Sequence, residues 1–274
     1  MKKSFPEIDR LATRRRFERA ARTYAGASRL EAEIGTRMLE RLDYLKIAPR
    51  RILDAGSGPS REAGSLLSRY KGAGLLSLDF SLAMLLSGKS LFFEKKKFVC
   101  GDLAGLPFAP GTIELVWSNM ALHWVSEPLA AFKEFSRVLA PEGLLMFSTL
   151  GPDTLKELRA AAGAARVHEF IDMHDLGDML VAAGFAAPVM DMEVLTFTYK
   201  DADAMLADLR AGGQTNARMD RARGLSGKGF AKKLRSFLGT RSTFEVVYGH
   251  AWKGVPRKLA DGRDIVQFRS PSAR

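Results

Sequence analysis

Ile52-Leu53-Asp54-Ala55-Gly56-Ser57-Gly58-Pro59-Ser60 reads as a buried strand that ends in an acid and then turns on glycine. Glycine lets the backbone turn tightly and approach a ligand. In a doubly wound sheet that turn lies at the carboxyl edge of the first strand, where ligands bind. The residues after the turn exclude two phosphate cradles. A dinucleotide loop needs a third glycine at position 61, where Arg61 stands, and a P-loop needs Gly-Lys-Ser/Thr after a four-residue gap. An acid before the glycines repels phosphate and suits a cationic or amino-bearing ligand.

Outward from Pro49, short apolar runs alternate with helix-period stretches, the pattern of a parallel sheet with crossover helices. Strands are expected at 51–54, 75–79, 97–100, 113–118 and 143–148, with helices at 60–70, 81–90 and 128–139 between them. Helices at about 153–165 and 174–183 and strands at about 189–199 and 242–252 complete the pattern. The fold class is therefore α/β: a Rossmann-like, seven-stranded, mostly parallel sheet with helices on both faces. Residues 1–48 read as a helical cap, 49–200 as the core, 201–241 as a basic lid, and 242–274 as the closing strand and tail, all in one domain. Asp79 closes the second strand, where a carboxylate can accept both hydroxyls of a ribose. Gly101-Asp102-Leu103 closes the third, where an acid can accept an adenine amine. Asp54, Asp79 and Asp102 at one sheet edge describe a nucleoside site without phosphate.

The 274 residues are 46% hydrophobic and 27% charged, an ordinary globular balance with room for one large core. No apolar run approaches the roughly 18 residues a membrane helix needs, and Met1-Lys2-Lys3-Ser4-Phe5-Pro6 leads into no apolar signal segment. Cys100 is the only cysteine and there are four histidines, so a reduced, cytoplasmic, metal-free protein is expected. The net charge of +11 is unevenly spread. Residues 1–22 hold eight Lys/Arg against three acids, and residues 210–258 hold twelve against two. Such clustering draws an anionic partner, but no zinc finger, KH loop or RNP run accompanies it.

Asp54-x-Gly56-x-Gly58, Asp79, Gly101-Asp102 before Leu106-Pro107-Phe108, and Arg137-Val138-Leu139-x-Pro141-x-Gly143 resemble the class I S-adenosylmethionine-dependent methyltransferases over about residues 50–150. The resemblance implies S-adenosylmethionine as cofactor. It implies a binding set of Asp54, Gly56, Gly58, Asp79, Phe80, Asp102, Leu103 and Asn119, with Met84 packed near the adenine or the core. Ser60 stands where that family usually has a third glycine, and is expected to cap the next helix.

The flanks narrow the resemblance. Arg15-Arg16-Phe17-Glu18-Arg19-Ala20-Ala21-x-Thr23-Tyr24, Trp117-Ser118-Asn119-Met120-Ala121-Leu122-His123-Trp124 and Phe147-Ser148-Thr149-Leu150-Gly151-Pro152-Asp153-Thr154-Leu155 are similar to the malonyl-acyl carrier protein O-methyltransferases of biotin synthesis. So are Asp208-Leu209-Arg210-Ala211-Gly212-Gly213 and Tyr248-Gly249-His250-Ala251-Trp252. This resemblance spans nearly the whole chain. It implies methylation of a malonyl carboxylate with an acidic carrier protein as partner; no membrane, no nucleic acid and a monomer are expected besides. A carboxylate nucleophile is already ionised at pH 7, so no general base is needed. Tyr24 and His123 are expected at the reacting centre, with Trp124 and Arg210 on the substrate. The alternatives are a packing role for His123 and Tyr24 and a solvated Arg210. Leu122-His123-Trp124-Val125, Gly151-x-Asp153-Thr154-Leu155 and Asp208-Leu209-Arg210-x-x-Gly213 also resemble the arginine hydroxylase assembly factor of respiratory complex I. A third reading is a non-catalytic module that binds S-adenosylmethionine or nucleic acid.

Overall fold

Strands whose residues are apolar on both sides need cover on both faces, and the computed structural model, which describes residues 7–88, 96–221, 224 and 227–254, supplies it. The strands are β1 (Arg51–Ala55), β2 (Gly74–Asp79), β3 (Lys96–Cys100), β4 (Ile113–Ser118), β5 (Leu139–Leu150), β6 (Phe185–Thr198) and β7 (Arg241–Lys253). Among the described residues they form one sheet in the order β3-β2-β1-β4-β5-β7-β6. β1 to β5 run parallel, and β7 runs antiparallel to β5 and to β6. The strand pleat sends Ile52, Leu75, Leu115 and Trp117 into one core and Leu53, Leu78 and Val116 into the other. The order reverses between β1 and β4, which opens the crevice beyond their carboxyl ends.

The expected fold class holds, while several boundaries move. β5 starts at Leu139 because Leu139 already pairs with Ile113, and β6 starts at Phe185 because Phe185 pairs with Lys253. α7 is Lys156–Ala162, shorter than the expected 153–165, because Gly151 and Leu155 bond β7 instead: Gly151 N–H donates to the Glu245 carbonyl (2.9 Å) and Leu155 N–H to the Thr243 carbonyl (2.7 Å). The end of the expected helix at 81–90 and the tail from residue 255 lie outside the described residues.

Ser60 does not cap the next helix. α4 (Ala63–Arg69) begins three residues later, with Glu62 in the cap position, and the Ser60 Oγ is buried with no hydrogen-bond partner. Its φ of 56° is in the left-handed region, which a serine occupies at a cost of about 1–2 kcal/mol. The loop thus keeps the backbone shape of a glycine turn without the glycine. Replacing Ser60 with glycine relieves the strain and the stranded hydroxyl, offset by glycine's chain entropy, and should raise stability by about 1 kcal/mol. Chemical denaturation checks this, and a lower midpoint would count against it.

The helices α1 (Arg10–Ala20), α2 (Tyr24–Ala27) and α3 (Arg29–Arg41) form the cap, and α9 (Ala202–Ala211) and α10 (Lys228–Phe237) belong to the segment between β6 and β7. The two regions are joined backbone to backbone. Asp9 N–H donates to the Ala217 carbonyl (2.7 Å), and Met219 N–H to the Glu7 carbonyl (2.8 Å). Arg16 reaches the Thr215 carbonyl (2.7 Å) and Arg221 pairs with Asp9 (2.8 Å). A Cβ at Gly213 would come within 3.2 Å of both Phe17 and Ala20, so the glycine allows the lid to lie directly on the cap. Among the described residues no helix is long and apolar enough to cross a membrane.

Candidate functional site

The turn after β1 floors a cavity of about 690 Å³. Gly56 and Gly58 have φ of 76° and 52°, and a Cβ on Gly56 would meet Ala121 Cβ at 2.3 Å. Asp79, at the end of β2, braces the turn: its Oδ2 accepts from Gly58 N–H (2.9 Å) and its Oδ1 from Ser81 N–H (2.8 Å). Burial raises its carboxyl to about 6. The cavity is lined by Tyr24, Glu31, Gly56, Gly58, Asp79, Phe80, Asp102, Leu103, Asn119 and Trp124, among others.

The loop carrying Asp102 is held from behind. Arg137 donates to the carbonyls of Phe108 (2.7 Å) and Leu106 (2.8 Å), and Glu134 accepts from Leu106 N–H (2.7 Å). Asp102 itself pairs with Arg10 of the cap, and both line the cavity. The residues fit S-adenosylmethionine: a nucleoside-sized space, carboxylates at two strand ends, a glycine floor and no basic phosphate cradle.

A second cavity, about 430 Å³, lies under α9 and α10. Its walls are mostly apolar, including Leu150, Leu155, Phe170, Leu209, Leu234 and Phe244, with Arg166, Arg210 and Arg235 also lining it. Arg166 lies over the Phe230 ring at 4.0 Å and Arg235 pairs with Asp203 at 2.7 Å. Arg210 makes no ion pair among the described residues.

Trp124 borders both cavities. It is set in an aromatic frame: Phe17 at 5.2 Å, His168 at 4.9 Å and His123 at 5.3 Å between ring centroids. His123, in the one-turn helix Leu122–Trp124, faces the second cavity, with Thr149 Oγ1 at 3.4 Å from its Nδ1. Burial, reinforced by His168, pushes its imidazole down to about 3, and burial pushes that of His168 to about 4. Both rings are neutral at pH 7. Burial also raises the Tyr24 phenol well above its usual range, with Glu31 adding to the effect, so Tyr24 keeps its proton.

The expected cofactor residues thus meet in one cavity, with one exception. Asp54 is buried beneath the turn, does not line the cavity, and has an Oδ2 with no partner. Its carboxyl is raised well above the usual range by burial and then by Glu62. Asn119 lines the cavity with its polar atoms engaged: Nδ2 donates to the Glu31 carbonyl (2.9 Å) and Oδ1 accepts from Ser148 (2.9 Å). Met84 packs with Phe17, Phe80 and Trp124. Sequence reasoning missed Glu31, His168 and Gln214. Glu31 left a signal, an acid on the apolar stripe Leu30, Ile34, Met38 of α3, whereas His168 and Gln214 sit in loops without periodicity.

Residues 53–147 match the family described as Methyltransferase domain. The malonyl-acyl-carrier protein O-methyltransferase of Methylovorus sp. (strain MP688) is 47% identical over 282 residues, covering 96% of this chain and 95% of that one. Among solved structures, the YcgJ protein from Bacillus subtilis has a TM-score of 0.58 at 16% identity, covering 82% of this chain and 100% of that one. The phosphoethanolamine N-methyltransferase 2 of Haemonchus contortus, solved with S-adenosylhomocysteine, has a TM-score of 0.52 at 17% identity, covering 81% of this chain and 52% of that one. At these identities the two structures speak for the fold alone.

Proposed function

We propose a function from one premise: this chain belongs to the malonyl-acyl-carrier protein O-methyltransferase family. It transfers the methyl group of S-adenosylmethionine to the free carboxylate of a malonyl thioester on an acyl carrier protein, and the ester serves biotin synthesis by priming pimelate. The bound cofactor supplies an electrophilic methyl on a sulfonium. In our reading Asp79 accepts from the ribose hydroxyls, the backbone of Gly56 and Gly58 underlies the cofactor, and Phe80, Asp102 and Leu103 surround the adenine. Asn119 orders the wall, and Asp54 supports the turn from beneath as a buried carboxyl raised well above its usual range.

The malonyl carboxylate is ionised at pH 7 and needs no base. A neutral His123 suits this, because its role is to hold the carboxylate by a hydrogen bond, with Tyr24 donating from the cap side. Arg210 attracts the carboxylate or the carrier arm's phosphate. Rate then comes from positioning and from water exclusion under the cap and lid. The observation that carries the reading is that Trp124 is shared by a polar, nucleoside-sized cavity and an apolar cavity with arginines among its lining. We propose that the protein works as a monomer, in the cytoplasm with the carrier.

Consumption of cofactor with malonyl-loaded carrier, and none with acetyl-loaded carrier, tests the function; equal consumption with both contradicts it. The basic cap and lid should matter for encounter with an acidic carrier. Methylation of the carrier-bound substrate is expected to slow several-fold as salt rises from about 50 to 500 mM, while that of a small malonyl thioester holds steady. Equal salt responses would remove the charge argument.

A further inference from the structure

We propose, resting on the methyltransferase reading, that Glu31 is the counter-ion for the sulfonium of the cofactor, held in place by Gln214 of the lid. Glu31 lies on the buried face of α3, is 8% exposed and lines the first cavity. Its Oε1 accepts from Gln214 Nε2, and its Oε2 is buried with no hydrogen-bond partner. A carboxylate oxygen in that position must be neutralised by a proton or by a cation.

The surrounding groups do not supply the cation. Arg61, the positive charge that acts on Glu31, is committed to Ser28 Oγ (2.6 Å) and the Ala25 carbonyl (3.3 Å). Asp208 adds repulsion from α9, and Tyr24 and Tyr199 face Glu31 as neutral phenols. Burial accordingly holds the Glu31 carboxyl at about 7. Of the other acids that line this cavity, Asp79 accepts from two backbone amides and is assigned to the ribose, and Asp102 pairs with Arg10.

Gln214 lines the second cavity as Glu31 lines the first, so the pair is a second bridge between the two beside Trp124. The same cofactor after transfer is a neutral thioether with its ammonium unchanged. A counter-ion for the sulfonium therefore favours the loaded form over the spent one, which a counter-ion for the ammonium would not.

Calorimetric titration of wild type and Glu31→Gln with S-adenosylmethionine and S-adenosylhomocysteine tests this. The substitution is expected to weaken the sulfonium form about tenfold or more and the thioether less than about twofold. Equal weakening of both, or of neither, overturns the proposal. The unmodified protein gives an independent reading. At pH 6.5 a group titrating near 7 is mostly protonated, so binding a cation beside it expels the proton. Titrations in buffers of different ionisation enthalpy should show proton release with S-adenosylmethionine and none with S-adenosylhomocysteine. Equal release overturns the proposal, while failure of the wild type to bind either ligand overturns the methyltransferase reading itself.

Discussion

Replacing Asp79 with alanine is expected to abolish detectable cofactor binding and to lower stability by about 2–4 kcal/mol. One carboxylate performs both jobs. Its two oxygens accept from Gly58 and Ser81 amides, and removing it leaves two buried donors without partners, at about 1–3 kcal/mol each. The same side chain lines the cavity at the end of β2, where we assign the ribose. Two hydrogen bonds from ribose hydroxyls to a charged acceptor correspond to a loss of about a hundredfold or more in affinity. Asp79→Asn retains one acceptor and should fall between. Calorimetry gives the affinity and thermal unfolding the stability; unchanged affinity in a folded Asp79→Ala protein would contradict the ribose assignment.

The second large effect is at Trp124. Trp124→Ala should reduce methyl transfer by about a hundredfold while leaving cofactor affinity within about threefold of wild type. The indole is the wall common to both cavities, packed edge-on against Phe17 and His168. Its removal merges the two spaces, admits water and loosens the alignment of the reactants, and small misplacements have costs of this order. Trp124→Phe keeps an aromatic wall and should retain most activity. A parallel loss of affinity and rate in Trp124→Ala would instead point to a purely cofactor-binding or structural role.

The sheet was legible in the sequence because its signal is local. Apolar runs of strand length, separated by helix-period segments, leave few arrangements, and the glycine turn marks the crevice. The acids at strand ends were legible for the same reason, yet they diverge in use. Asp54 pairs across to Ser77 and Trp117 and is turned under the loop, whereas Asp79 lines the crevice, a distinction made by the sheet around them. Ser60 misled because serine before a helix ordinarily caps it, and only the backbone angle reveals that the turn holds it left-handed. The union of cap and lid was illegible, since it depends on contacts between residues about 200 apart, such as Arg16 with Thr215. Gly213 was quoted for its resemblance alone, and its physical reason is the closeness of Phe17 and Ala20.

The destination of the methyl group decides the function. Labelled S-adenosylmethionine should deliver its methyl to malonyl-loaded acyl carrier protein as a base-labile ester, with none on the acetyl-loaded carrier, which has no free carboxylate. Label on both carriers, or none on the malonyl form from a protein that demonstrably binds the cofactor, would contradict carboxyl methylation.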